Sequence, residues 1–342
     1  MRVLLISYAF PPSIGGVETA SLALAEELLH RGHEVAVATA TKTALPPSFA
    51  FDVYYRPTAK RLLALHRWAD VVIQNSFTLR FAWPLLISRR PLVVIHTGDF
   101  RTGSLRTAVA RRAENIAVSQ AVAQTIPVPS AVIPNAYRNN VFFDRQRSRR
   151  NYQFGFVGRL VSDKGVDNLL QALAVLGQRN LRPRCAIVGA GPEEIALKTQ
   201  AQLLHVDAQV DFLGPRHDGG LVEILNDIDC LVVPSIWNEP FGIVALEGIA
   251  SGCVVIGSHG GGLKDAIGSC GLTYPNGDVT ALAAAMRRIM EDSELSMQLR
   301  AHAPDHLARH SPSAVVDDYL KIIAKTIGKR AVHGPKPFQG TL

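Results

Sequence analysis

Cysteine is scarce in this chain: Cys185, Cys230, Cys253 and Cys270 are four in 342 residues, and none forms a C-x-x-C pair. That argues against a disulfide framework and a thiolate zinc site. It reads the four as small buried hydrophobes in a reducing compartment. No apolar run approaches the roughly 20 residues of a membrane helix. The opening stretch MRVLLISYAFPPSIGG runs from a short apolar core into Pro-Pro and Gly-Gly with no small-residue cleavage site. It predicts a buried first strand rather than a secretory leader. No G-x-G-x-x-G is present: in GAGPEE (189–194), Glu194 stands where the third glycine would be, so the dinucleotide fingerprint is missing. Charged residues are 19% and hydrophobic ones 47%, a globular balance rather than a disordered one.

What is present alternates between strand and helix. RVLLIS (2–7), EVAVATA, DVVIQN (70–75), PLVVIHTG (91–98), IAVSQ (116–120) and SAVIPN (130–135) read as strands. GGVETASLALAEELLHRGH (15–33) is a helix between the first two, closed by Gly32. A polar, basic stretch at 137–151 follows, and a domain boundary is expected near residue 150. A second series holds YQFGFVGR (152–159), RCAIVGAG (184–191), QVDFLG (209–214), DCLVVPS (229–235) and CVVIGS (253–258). Continuous apolar strands separated by helices imply parallel sheets covered on both faces. The expected fold class is therefore α/β, with two Rossmann-like doubly wound domains, 1–150 and 151–311, facing a central cleft. A helix over 312–328 starts at Ser311 and is followed by a loose tail, 329–342. Little lies between ATATK and DVVIQN, which predicts a pared-down first domain.

Ligands of such sheets bind at the carboxyl ends of the strands, so residues just after each strand are the candidates. Gly15 and Gly16 stand between the first strand and helix, where free N–H groups can meet phosphate. In FVGRLVSDKG (156–165), Arg159 and Lys164 flank a strand-to-helix loop. Arginine grips phosphate bidentately and lysine as a point charge, and a diphosphate needs both. His96 follows an apolar strand, where a core histidine and a polar group at the cleft are equally compatible. PSIWNEPFGIVALEGIASG (234–252) holds two glutamates. Glu239 falls in a loop after a strand and Glu247 one turn into a helix. Phe241, Gly242 and Ile243 open that helix with their N–H groups exposed. Carboxylates accept sugar hydroxyls.

GGVE, RGHEV, His96, VIPN, GRLVSDKG, VGAGP with Gly191, the E-x7-E stretch with its PFG centre and GGLKDAI occur in order from residue 2 to about 280. Together they resemble the retaining GT-B glycosyltransferases of family 4, the glycosyl transferase group 1 family. The resemblance implies that Arg159 and Lys164 hold the diphosphate of a nucleotide sugar, with Gly16 approaching it from the first domain. It implies that Glu239 contacts hydroxyls of the transferred sugar and Glu247 the ribose. The N–H groups of Phe241, Gly242 and Ile243 would meet hydroxyls or phosphate, and His96 would lie near the sugar's C6 hydroxyl. It further implies a retained anomeric configuration, no divalent metal, no cofactor beyond the donor itself, and a helix crossing back onto the first domain with Tyr319 packed there. The departure is PNAYRNNVF (134–142), which stands where the family more usually has Pro-Asn-Gly with a following Asp, so that Tyr137 and Arg138 change that loop.

Three rival readings meet the same residues. A glycoside hydrolase would use two carboxylates, but it has no need of Arg159, Lys164 and a glycine turn. A nucleotide-sugar epimerase and a non-catalytic nucleotide-sugar binder share the fold. The intact Arg, Lys, Glu and His set favours transfer. The D-x-D of NDID (226–229), a manganese pattern elsewhere, leads into a buried strand and reads as a helix end. Residues 1–150 hold 19 Lys and Arg against 9 Asp and Glu, a net +10, whereas 151–342 hold 17 against 20, a net −3. The basic half suggests an anionic partner. FRTGSLRTAVARRAEN (100–115) reads as a helix carrying Arg101, Arg106, Arg111 and Arg112, suited to an anionic membrane surface. The expectations are a UDP-, GDP- or ADP-sugar donor and a hydroxyl acceptor, a glycan or lipid-linked glycan. A cytoplasmic location, peripheral on the inner face of the membrane, goes with them. Nucleic acid is not expected, because no aromatic platform accompanies the arginines.

Overall fold

A computed structural model describes residues 1–13, 15–76, 78–88, 90–100 and 103–333. By compactness the chain divides into two units: residues 1–118, 122–133 and 312–342, and residues 119–121 and 134–311. The expected boundary near residue 150 therefore sits inside the second unit. The reason is polar: Arg145 donates its main-chain N–H to Asn226 at 2.6 Å, and Arg147 pairs with Asp227 at 2.6 Å. These contacts bind the basic stretch to the second unit despite its lack of apolar periodicity.

In the first unit the described residues form a seven-stranded sheet in the order β3-β2-β1-β4-β5-β6-β7, with every neighbouring pair parallel. The strands are β1 (Arg2–Ser7), β2 (Glu34–Thr39), β3 (Asp52–Tyr55), β4 (Val71–Asn75), β5 (Leu92–His96), β6 (Glu114–Ala117) and β7 (Ser130–Val132). Their crossovers carry α1 (Gly16–His30), α2 (Ala59–Trp68), α3 (Leu85–Ser88), α4 (Ser104–Ala110) and α5 (Gln120–Thr125). Alternate residues Leu4, Ile6, Val72 and Val94 pack with Leu62 and Leu65 of α2, as the two-residue period of a strand requires. Thr58 caps α2 by accepting from the N–H of Arg61 at 3.3 Å.

Two expectations fail in this unit. The span between ATATK and DVVIQN is not empty: it holds β3 and α2. DVYY is a short edge strand, half-buried at best, so it carries no apolar run to announce it. The basic helix over 100–115 is short, because only Ser104–Ala110 is helical. Arg111 and Arg112 lie in a turn, and Glu114 is already paired with Val93 as β6 leaves the helix. Arg101 lies outside the described residues.

The second unit's described residues form a six-stranded parallel sheet in the order β10-β9-β8-β11-β12-β13. These are β8 (Tyr152–Val157), β9 (Cys185–Val188), β10 (Val210–Gly214), β11 (Ile228–Val233), β12 (Val254–Ser258) and β13 (Gly271–Tyr274). The helices are α6 (Val166–Gly177), α7 (Glu194–Leu203), α8 (Asp218–Leu225), α9 (Ile243–Ala250), α10 (Leu263–Ile267), α11 (Val279–Glu291), α12 (Ser293–Ala301) and α13 (Ala303–Arg309). Phe154, Phe156, Leu169, Leu173, Ile187 and Val232 are among its fully or almost fully buried core. All four cysteines are buried and free. The last helix, α14 (Pro312–His333), belongs to the first unit. Val315, Tyr319 and Ile323 recur every four residues on its buried face. Arg31 at the end of α1 pairs with Asp317 at 2.8 Å and with the Ser313 hydroxyl at 2.7 Å. Residues 334–342, part of the expected tail, lie outside the described residues. Among the described residues no helix is long and apolar enough to cross a membrane.

Burial holds several histidines neutral. His66 and His310 are each pushed down to about 4, chiefly by desolvation, and His96 and His306 are lowered for the same reason. A depressed histidine contributes stability that is fully present above its unfolded value near 6.5. That stability is lost as pH falls toward the folded value. We therefore expect the melting temperature to drop steadily from about pH 7 to about pH 4.5, with His66 and His310 each contributing up to about 3 kcal/mol. Differential scanning calorimetry across that range checks this, and His66→Leu should flatten the acid limb of the first unit.

Candidate functional site

The strand order of the second sheet reverses between β8 and β11, and ligand sites of doubly wound sheets sit where that happens. The loop leaving β8 carries Arg159, which is exposed and makes no ion pair among the described residues. A short 3₁₀ turn, Ser162–Lys164, then ends on Gly165 at φ 67°. A Cβ on Gly165 would lie 2.0 Å from the carbonyl oxygen of Pro234. Only glycine supplies both that backbone and that approach. The N–H of Ile236 donates to the carbonyl of Asp163 at 3.0 Å, locking the loop after β8 to the loop after β11.

This contact brings two of the candidate residues together. Lys164 Nζ donates to Glu239 Oε1 at 2.5 Å, and the hydroxyl of Ser235 donates to the same oxygen at 2.7 Å. Both side chains of the ion pair are largely withdrawn from solvent, at 20% and 10% exposure. Both donors take Oε1, so the accepting capacity of Oε2 is left for another group. The indole of Trp237 is 42% exposed, with its ring centre 5.6 Å from Lys164 Nζ. The main chain of Glu239 is fixed as well, bridging to Gly261 and accepting from the N–H of Gly262 at 2.7 Å. Asn276 ties the two loops from the side. Its Oδ1 accepts from the N–H of Gly260 at 2.8 Å while its Nδ2 donates to the carbonyl of Trp237 at 3.2 Å.

Phe241, Gly242 and Ile243 lie where expected, at the start of α9, with Gly242 as its N-cap. The Phe241 side chain is buried against His310, ring centres 5.9 Å apart, so what this residue can offer a ligand is backbone. Glu247 is one turn into α9 and partly buried. Desolvation raises its carboxyl to about 7, opposed by attraction to Arg138. Arg138 spends Nη1 on Asp218 at 2.8 Å and keeps a buried Nε without a partner. Gly191 has a packing reason for being glycine, since a Cβ there would sit 2.1 Å from the carbonyl of Leu160. The D-x-D pair is engaged elsewhere: Asp227 with Arg147 and Asn151, and Asp229 with Arg300 at 3.6 Å.

In the first unit, Gly15 is the extended residue before α1 and Gly16 its first helical residue. His96 ends β5, buried, with Nε2 3.0 Å from Asn115 Oδ1. The Asn115 amide donates to the carbonyls of Ala110 and Ala113, at 2.8 and 3.1 Å, so Oδ1 must accept from His96. Burial lowers the imidazole and keeps it neutral. Its Nδ1 then carries the lone pair.

Ser235, Trp237, Asn276 and the closeness of Arg138 to Glu247 did not emerge from the sequence. Ser235 and Trp237 stood inside the quoted stretch but have no diagnostic spacing. Asn276 follows Pro275 in an ordinary turn, and nothing local links it to the glycines of 260–262. For the loop framework, the expected outcome is that Gly191→Ala costs at least about 2 kcal/mol, because backbone rather than a flexible side chain must yield. The urea unfolding midpoint measures it.

Comparison with known proteins adds a family. The profile described as glycosyl transferases group 1 matches residues 138–306. A D-inositol 3-phosphate glycosyltransferase of Stackebrandtia nassauensis is 30% identical over 330 residues, covering 85% of this chain and 72% of that protein. One of the same name from Corynebacterium jeikeium is 36% identical over 182 residues, covering 51% of this chain. The match spans only 43% of that relative's length. The fold is that of Anabaena HepE in complex with UDP, with a TM-score of 0.79 at 21% identity over 95% of this chain and 100% of that one.

Proposed function

The chain belongs to the glycosyl transferases group 1 family, and from that premise we propose that it moves a sugar from a nucleotide diphosphate sugar to a hydroxyl acceptor with retention of anomeric configuration. The observation that carries this reading is the Lys164–Glu239 pair at the switch point of the second sheet, on the loop that also carries Arg159. It sets two cations for a diphosphate next to a carboxylate for sugar hydroxyls. Arg159 and Lys164 stabilise the charge that grows on the leaving diphosphate as the anomeric bond breaks, which is where preorganised charge accelerates reaction most. Glu239, with Oε1 held by Lys164 and Ser235, offers Oε2 to the transferred sugar. Glu247 takes the ribose hydroxyls, and the N–H groups of Phe241, Gly242 and Ile243 the sugar hydroxyls or phosphate. Gly191 lies in the loop after β9 on the same ligand. Gly15, Gly16 and His96, carried by the first unit, keep the roles that the family resemblance implies for them.

Retention follows from attack on the face the diphosphate leaves, with a leaving-group oxygen taking the acceptor's proton as the new glycosidic bond forms. No side chain need then form a covalent sugar intermediate, and no metal is assigned. The acceptor is read as a glycan or lipid-linked glycan in polysaccharide or glycolipid synthesis, met by the basic first half at the inner face of a membrane. A non-catalytic binder would not need a largely withdrawn lysine held against the Glu239 carboxylate.

A thermal-shift panel of UDP-, GDP- and ADP-sugars tests the donor, since a ligand that binds only the folded chain raises its melting temperature. The HepE complex places UDP-sugars first in the panel. Lys164→Ala and Arg159→Ala should each lower turnover by about 10²–10³-fold with far-UV circular dichroism unchanged. Near-normal turnover in both would remove the diphosphate assignment. Activity that survives EDTA is the expected result for a metal-independent enzyme, whereas loss restored by manganese would contradict it.

A further inference from the structure

One side of the first unit is built inside out. Leu85 of α3 and Val109 of α4 pack against the same core as Leu62 and Phe81, so both helices cover one face of the sheet. Their outward residues are bare: Leu86 and Ile87 are 76% and 56% exposed, Leu105 is 58% exposed, and Trp83, just before α3, is 36% exposed. Trp83, Leu86 and Ile87 follow the three- and four-residue spacing that puts side chains on one face. Sequential crossovers β4-α3-β5 and β5-α4-β6 place α3 and α4 side by side, because such connections share one hand.

The surrounding charge is of one sign. Among the described residues of 78–113 the charged side chains are Arg80, Arg90, Arg106, Arg111 and Arg112 against a single carboxylate, Asp99. Arg80, Arg111 and Arg112 are exposed, and Arg90 is drawn to the carbonyl of Arg67 at 2.5 Å. A protein partner would need a matching cluster of carboxylates around an apolar socket. A bilayer with anionic headgroups supplies both at once: phosphates for the arginines and an acyl boundary for Trp83, Leu86, Ile87 and Leu105. We propose that this knuckle seats in the headgroup layer of an anionic lipid surface, with Trp83 at the interface and the arginines on lipid phosphates. The assignment deepens the membrane-side reading of the acceptor and rests on it for purpose only. It replaces the long basic helix expected from the sequence with exposed apolar residues on α3 and α4 accompanied by exposed arginines.

The test is co-sedimentation of the full chain with vesicles of phosphatidylglycerol and phosphatidylcholine in equal parts, and with phosphatidylcholine alone. Binding to the mixed vesicles that falls with added salt is expected. The Leu86→Glu/Ile87→Glu double variant should bind at least roughly tenfold more weakly, with an unchanged melting temperature. Three results overturn the proposal: no sedimentation of the unmodified chain at low salt, equal binding to phosphatidylcholine alone, or undiminished binding by the double variant. A concentration-dependent dimer that the double variant dissolves would also overturn it, in favour of a second copy on this face. The melting-temperature shift given by UDP-glucose is measured in parallel on both proteins. A retained shift with lost vesicle binding, or the reverse, tells failure of the lipid contact from failure of the donor assignment.

Discussion

Backbone packed directly on backbone at the carboxyl ends of the second sheet is the constraint from which the site follows. The loop after β8 lies against the end of β11 through Gly165 and Pro234, and against the loop after β9 through Leu160 and Gly191. Neither approach leaves room for a side chain. Because the loops touch at main-chain distance, a lysine from one reaches a carboxylate carried by the other at 2.5 Å. The ion pair does not create this proximity. Withdrawing two charges from water costs several kcal/mol per ion before attraction and hydrogen bonds offset it. The fold has to hold them there: Ser235 adds a hydrogen bond to the carboxylate itself, while Gly262 fixes the Glu239 main chain and Asn276 ties the neighbouring loops.

That arrangement has a consequence for the proposed chemistry. Lys164 gives one of its three N–H donors to Glu239, so under the proposed function a diphosphate would share the ammonium with that carboxylate. The exposed Arg159 makes no ion pair among the described residues. The two cations therefore differ in kind. One is an open, planar fork, and the other is a point charge already paired with a carboxylate. Under the proposed function, a lysine paired in this way would couple departure of the diphosphate to the orientation of the sugar. An isolated surface lysine would not.

The alternation of apolar runs was legible because parallel strands buried on both faces read as continuous hydrophobic segments. Six strands of the first sheet and five of the second were marked in this way. β3 escaped because DVYY is an edge strand with little buried area, and β13 because GLTY is short and half-buried. The helix over 100–115 was overestimated because helical spacing of arginines and alanines says nothing of a neighbouring strand, and β5 claims residues from 114 onward. At the site, motifs gave the residues that carry charge. They did not give Ser235, Asn276 or the neighbourhood of Arg138, since those depend on loops distant in sequence meeting in space. The stretch at 137–151 looked like a linker by composition, yet asparagine, aspartate and glutamate side chains at the end of α8 capture its arginines.

The departure at Tyr137 and Arg138 acquires a physical meaning here. Tyr137 is buried and donates its N–H to the carbonyl of His310 at 3.2 Å, and His310 in turn packs on Phe241. Arg138, the next residue, is the cation that opposes the desolvation of Glu247. One dipeptide thus reaches both ends of the stretch 241–247, one through a buried ring and the other through charge. Burial raises Glu247 to about 7, which favours its protonated form relative to a free carboxyl. A ribose whose hydroxyls donate to the carboxylate would draw the proton off. Arg138, already half committed to Asp218, is placed to compensate the charge that appears. Under the proposed function, tyrosine and arginine in this loop would change how the second glutamate is held.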